Sequence, residues 1–419
     1  MNKTLLASLL AMPLALAQTA ALANPEYPTW SFSGYGTAAL TASSTDQAQF
    51  ARPNQSSGAS RRPVTGVDSN LGLQGVVQAN EWLSATVQAL VRKDGDEGFE
   101  GELAWAFAKA KLGEHLSVRV GRIGLPVFMI SDYRNVGYAN TLLRPPGEVY
   151  SQISFGNVDG VDATYQHSVG GVNLSAQLAL GKTRAESSSG PDTVVHIDAK
   201  KIVAVNLVAE RGPLTLRFGH ATSQISVTDS SGLNSVINGL RAVGAGYRFD
   251  ALGQLADRLQ VIDKKGTFTS LGLMLDWNDI VLQSEYARRR LDAYNAPTNS
   301  WYAMAGYRYG KVLPYYSHSE LSVAGRMLNT VPQACPPGFP AACTPTLRQL
   351  SAGVNALINQ QGEQSTDTIG VRWDFHRAAA LKVQIDRVRP KGSPVSLIQQ
   401  APGFRGPVTV GAVAVDFVF

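Results

Sequence analysis

From residue 30 onward the chain repeats one pattern: short segments in which apolar and polar side chains alternate, joined by connectors of two contrasting lengths. "LGLQGVVQA" sets Leu71, Leu73, Gly75 and Val77 on one face, against Gln74 and Gln78. "LSATVQALV" sets Leu83, Ala85, Val87, Ala89 and Val91 opposite Ser84, Thr86 and Gln88. "VNLSAQLAL" and "LKVQIDRV" repeat the rule, the latter dividing Leu381, Val383 and Ile385 from Lys382, Gln384 and Asp386. The same reading groups Leu103, Trp105 and Phe107 of "LAWAF". A period of two belongs to a strand whose two faces meet different surroundings.

The connectors alternate as strictly as the strands. Tight turns fall at Asn80-Glu81, Gly113 to His115, Gly170-Gly171, Arg211-Gly212, Asn278-Asp279, Gly310-Lys311 and His376 to Ala379. Long connections rich in Gly, Pro, Ser and Asn cover 42–66, 123–158, 184–196, 226–265, 322–363 and 390–405, with shorter ones near 93–99 and 292–299. Seven tight turns and eight long connections give about sixteen antiparallel strands running up and down, an even number as in bacterial single-chain outer-membrane barrels. Within 226–265, Leu240, Val243, Tyr247, Ala251, Leu255 and Leu259 recur at helical spacing, so the segment reads as a long loop with a helix. Counting strands there instead would raise the total to eighteen.

A soluble β-sandwich also alternates, but its loop lengths need not sort by end. A strand of about ten residues, tilted about 45°, spans the apolar band of an outer-membrane barrel. Trp30, Trp82, Trp277, Tyr307, Tyr309, Trp373, Phe375, Phe417 and Phe419 all lie beside the tight turns, as an interfacial girdle requires. The chain ends on "VTVGAVAVDFVF", whose outward side would be Val413, Val415, Phe417 and Phe419, with Asp416 turned inward to water. The fold expected is an all-β, sixteen-stranded antiparallel transmembrane barrel.

Residues 1–23, "MNKTLLASLLAMPLALAQTAALA", read as an export signal cleaved before Asn24, leaving 24–419 as the barrel. No later run approaches the roughly 20 apolar residues of a spanning helix. Cys335 and Cys343 in "CPPGFPAAC" suit one small loop disulfide in an exported protein, with free thiols as the alternative. The net charge of +5 is modest and forms no dense basic run, which gives nucleic-acid binding no support. The six histidines are dispersed and none has metal spacing, and "GKT" at Gly181-Lys182-Thr183 lacks the first Gly and the helix of a phosphate loop. No cofactor is expected.

Over its mature length the chain resembles the Gram-negative trimeric porins: an opening "FSGYGTAAL" strand, sixteen strands, an elongated third loop and a terminal Phe. The resemblance implies a homotrimer in outer-membrane lipid and a passive pore for small hydrophilic solutes. It also implies a terminal signal, here Val413, Val415, Phe417 and Phe419, read by the barrel-assembly machinery. The third loop, 123–158, would fold into the lumen, where Asp132, Arg134, Arg144 and Glu148 become candidate gate charges. By alternation Arg92, Arg119, Arg217, Arg308, Arg372 and Lys382 would face them, together with Glu102, Asp162, Glu285, Asp374 and Asp386. Opposed charges in a narrow pore set ion preference, and this near-balanced set implies at most a slight preference for anions. A barrel hydrolase using His167, His220 or His318, or a structural or adhesive barrel, stays open as another class.

Overall fold

The computed structural model describes residues 26–93, 98–190, 193–360, 362–392 and 395–419, and the export signal expected at 1–23 lies outside them. The described residues form a closed antiparallel barrel of sixteen strands. In chain order these begin with β1 (Thr29–Ser43), β2 (Asn70–Gln78), β3 (Leu83–Lys93), β4 (Phe99–Lys111) and β5 (Leu116–Gly124). Next come β6 (Asn157–Val169), β7 (Val172–Gly190), β8 (Thr193–Arg211), β9 (Leu214–Thr228), β10 (Lys264–Trp277) and β11 (Ile280–Leu291). The circuit ends with β12 (Thr298–Tyr307), β13 (Val312–Val323), β14 (Glu363–His376), β15 (Ala379–Lys391) and β16 (Val408–Val418). Each strand pairs with its sequence neighbours, and β16 closes on β1, so the wall has no free edge.

Alternation predicts facing along most of the wall. Val413 and Val415 are exposed on the outside, while Ala412, Ala414 and Asp416 are buried inside. Trp30, Trp82, Trp277, Tyr309, Trp373 and Phe419 are exposed together at the tight-turn end. Alternation fails at Ala104. There β4 slips register against β3, with Trp105 opposite Gln88 but Leu103 opposite Ala89. The extra residue inverts parity. Leu103 therefore stays outside, whereas Phe107 packs inward beneath the Arg119 guanidinium.

The long connections depart from a simple loop reading in two places. Residues 184–190 and 193–196 are strand, because β7 and β8 stay paired up to Gly190 and Thr193, braced by Arg184–Asp198 and Glu186–His196 contacts. The Ser-rich composition there reads as loop, yet the continuing ladder and its cross-strand side-chain pairs hold it extended. Residues 226–265 do carry helix, as two segments, Ser231–Tyr247 and Asp250–Leu259. The connection after β13 adds a third, Cys343–Ile358, whose Pro345 sits in the first turn, where a missing N–H does no harm. Leu240, Leu252, Leu255, Leu259, Leu347 and Val354 bury one another between these helices, and a Cys335–Cys343 disulfide closes the loop before the last. Together they form an apolar-cored cap at the long-loop end.

The seam depends on two glycines. Gly34 and Phe419 exchange backbone hydrogen bonds of 2.8 and 2.9 Å, and the Phe419 ring lies across Gly34. Gly36 stands opposite Phe417, and a Cβ there would meet the ring at 2.4 Å. We predict that Gly36→Val destabilises the barrel by about 1–3 kcal/mol through overpacking. A lower guanidinium midpoint in tryptophan fluorescence reads this out, and adding Phe417→Ala should return part of the loss.

Candidate functional site

The connection between β5 and β6 folds into the lumen and seats itself by an apolar start. Phe128, Met129 and Ile130 are buried with Phe268 of β10 and Tyr302 of β12, both of which point inward. The Phe128 ring lies 4.9 Å from both Tyr150 and Phe268, centroid to centroid. Each such side chain removed from water contributes about 1.5–3 kcal/mol. A 3-10 turn at Gly137–Ala139 and a single helical turn, Gly147–Tyr150, follow, the latter started by Pro146.

Polar groups of the wall then take up the loop's backbone. Glu285 accepts the Met129 N–H at 2.9 Å and the Tyr150 hydroxyl at 2.5 Å. Arg217 donates to the Met129 carbonyl at 2.9 Å, and Ser270 donates to the Val127 carbonyl. Arg372 donates to the carbonyls of Tyr138 and Asn140, at 2.8 and 2.9 Å. Lys382 donates to the carbonyls of Gly137 and Leu142, at 2.8 and 3.1 Å, and Gln384 accepts the Leu143 N–H at 2.9 Å. Burial, reinforced by the neighbouring Glu285 carboxylate, raises the Tyr150 phenol well above its ordinary range, so it remains a donor.

These contacts reassign several charges expected to line a pore. Lys382 is fully buried, 2.8 Å from the Asp416 carboxylate, and Thr37 donates to Asp416 at 2.6 Å. Asp416 does turn inward, but it meets this ion pair rather than water. Arg144 is buried between Asp68 at 2.8 Å and Asp386 at 3.0 Å, with its guanidinium over the Phe50 ring. Glu148 is buried too and accepts from Ser319, Gln364 and Thr366. Glu285 and Arg217 are buried against the loop, and Arg372 is largely covered by it. Arg308 pairs with Asp276 at 2.9 Å beside the Asn278-Asp279 turn.

Four of the predicted residues keep a more open position. Asp132 on the loop has the most exposed side chain, at 53 %, and lies 3.8 Å from Arg217. Arg134 makes no hydrogen bond or ion pair among the described residues, and burial together with the Arg92 charge pushes its guanidinium down to about 10. It is still a cation at neutral pH. Arg92 pairs with Glu102 at 3.2 Å, and Arg119 pairs with Asp162 at 2.5 Å. From Arg119 a chain of side-chain hydrogen bonds crosses β6 to β9 through Asp162, Gln177, Asn206 and Arg217, one residue per strand. The anchors Asp68, Thr37 and Gln384 carry no motif. Only strand parity, which points Thr37 and Gln384 inward, signals two of them.

A Gram-negative porin family model matches residues 4–317, well over half of the chain. The chain belongs to the Gram-negative porin family. It is an outer-membrane diffusion channel. Solved structures agree on the fold. Salmonella typhi OmpF, in a complex with daunomycin, is 15% identical with a TM-score of 0.54, over 93% of this chain and 97% of that one. OmpT of Vibrio cholerae, in its trimer form, is 10% identical with a TM-score of 0.53, over 94% and 99%. The channel DcaP of Acinetobacter baumannii is 9% identical with a TM-score of 0.52, over 94% and 97%. A comparison with curated proteins gave no match.

The porin's Lys382–Asp416 pair allows a direct check on loop anchoring. Asp416→Ala would leave a buried, uncompensated ammonium and should cost about 3–5 kcal/mol. Lys382→Met combined with Asp416→Ala should cost clearly less. Guanidinium midpoints of the refolded barrels measure both.

Proposed function

We propose that solutes pass between the loop residues Asp132 and Arg134 and the wall residues Arg92, Glu102 and Arg119 of β3 to β5. One observation supports this above the rest: of the charges on the in-folded loop, Asp132 alone has a half-exposed carboxylate, while Arg144 and Glu148 are buried. Opposed fixed charges across a narrow aqueous gap orient polar solutes and penalise apolar ones. With Asp162 bound to Arg119 and Glu102 to Arg92, the field is set largely by Asp132 against Arg134. The solutes are small and hydrophilic, and the slight preference follows whichever of the two charges dominates.

The reading extends to assembly. We infer a homotrimer, the state named for the Vibrio cholerae OmpT structure. An apolar groove on the outer wall, between Ala38, Leu40, Leu71, Val91, Phe99, Val413 and Val415, offers a seat for a neighbouring subunit on β16 to β4. Residues 1–23 act as the export signal, and Val413, Val415, Phe417 and Phe419 present the assembly signal. The channel carries no catalysis in this reading. His318 does meet a carboxylate, Asp367, at 2.7 Å, but Tyr316 and Arg389 share that carboxylate. Among the described residues no serine hydrogen-bonds to His318, which leaves the dyad without a nucleophile.

Planar-bilayer recording tests the path. Steps of current in triplets are expected from the wild type. Under a steep KCl gradient, Asp132→Asn should move the reversal potential toward anion preference by several millivolts, and Arg134→Gln should move it the other way. Unchanged potentials in both variants would sink the proposed path. Deleting Phe419 should lower the yield of inserted barrel while leaving the unit conductance as it was.

A further inference from the structure

Several cations on the outer wall near the long-loop end have a carboxylate beside them. Arg122 pairs with Asp159 at 2.7 Å, Arg184 pairs with Asp198 at 2.9 Å, and Arg389 pairs with Asp367. Lys265, Arg288 and Arg290, gathered on the adjacent strands β10 and β11, form no such pair among the described residues. All three are exposed, and their neighbours Gly266, Phe268 and Ala287 are buried on the inner face, so the three point outward. Arg288 stands opposite Thr269 and Arg290 opposite Thr267, which gathers the cations into one two-strand patch. Among the described residues none of their side chains makes a hydrogen bond or an ion pair. Asp292, exposed and bonded through its N–H to the Lys265 carbonyl, is the adjacent carboxylate, and it forms no ion pair with them.

Height gives the patch its meaning. Counting from Ile280 at the tight turn, a rise of about 3.3 Å per residue and a tilt of about 45° put Arg288 roughly 19 Å and Arg290 roughly 23 Å up the wall. The apolar band is about 25 Å tall, so the cations sit at its outer margin. Directly below them Leu271, Tyr286 and Trp301 are exposed, with Trp301 opposite Tyr286. Unpaired cations above an apolar and aromatic wall match an amphiphile with anionic oxygens above its acyl chains.

We propose that Lys265, Arg288 and Arg290 bind the phosphates of an outer-leaflet lipid whose acyl chains lie along Leu271, Tyr286 and Trp301. The site lies on the outside of the barrel and is independent of the solute path. Native mass spectrometry of the full-length folded porin in detergent, titrated with diphosphoryl lipid A or with the same lipid stripped of phosphate, tests it. Wild type should retain the phosphorylated form preferentially. Neutralising all three as Lys265→Gln, Arg288→Gln and Arg290→Gln should weaken retention on the order of a hundredfold, with conductance unchanged. Lys391→Glu, on the outer face of β15, should have little effect. Equal retention of both lipids, unchanged retention in the triple variant, or an equal loss with Lys391→Glu would overturn the proposal. So would a shift from trimer to monomer with lipid retention intact, which would assign the patch to a second copy. Should the triple variant fold poorly, the single Arg288→Gln and Arg290→Gln variants carry the same comparison.

Discussion

An irregular segment enclosed in a barrel cannot leave its backbone groups unpaired, because a buried N–H or C=O without a partner costs more than most contacts return. That requirement organises the lumen of this porin. The loop between β5 and β6 pairs part of its backbone in its own successive turns, and the wall takes up groups that those turns leave over. Arg217, Ser270, Glu285, Arg372, Lys382 and Gln384 each reach a backbone atom of the loop. All six belong to β9, β10, β11, β14 and β15. These hydrogen bonds come from one side of the barrel, whereas β3 to β5 meet the loop through apolar contacts and carry the Arg92–Glu102 and Arg119–Asp162 pairs.

The anchors also leave the loop little room to shift. A Cβ on Gly137 would stand 2.1 Å from Asp416 Oδ1 and 2.4 Å from Thr37 Oγ1, so only glycine lets the backbone come this close. The Lys382 ammonium reaches across that contact to the Gly137 carbonyl, and it does so while paired with Asp416. A buried ion pair contributes little net stability because both charges lose their hydration. It does penalise any displacement that would strip one partner. The apolar seat around Phe128 supplies attraction without direction, and the charged contacts supply the direction.

The barrel was legible because alternation, connector length and the aromatic girdle all report one geometry, the height and closure of a membrane wall. Strand facing was equally legible until Ala104, where a single extra residue reversed the sides of Leu103 and Phe107. Nothing in "LAWAF" distinguishes a bulge from a regular strand. The candidate charges were located on the correct face, but their partners were not. Lys382 looks inward by parity whether it meets water or Asp416, and the choice depends on a loop that arrives from more than 200 residues away. Arg144 likewise reads as a gate charge until Asp68 and Asp386 close around it. Parity assigns a side chain to a face, while its exposure is decided by what folds against that face.

This distinction governs how selectivity should be reasoned. A tally of inward charges weights Lys382, Arg144, Glu148 and Glu285 equally with Asp132. Inside the barrel they are not equal. A charge bonded on every side presents a passing ion with little more than a neutral dipole, whereas a half-exposed carboxylate presents nearly its full field across a gap of limited dielectric. Asp132 and Arg134 lie two residues apart on the same loop, so one small displacement of that loop changes both at once. On the path proposed above, the anchors buried on the far wall would act on ion preference without touching an ion, through the position they impose on these two side chains.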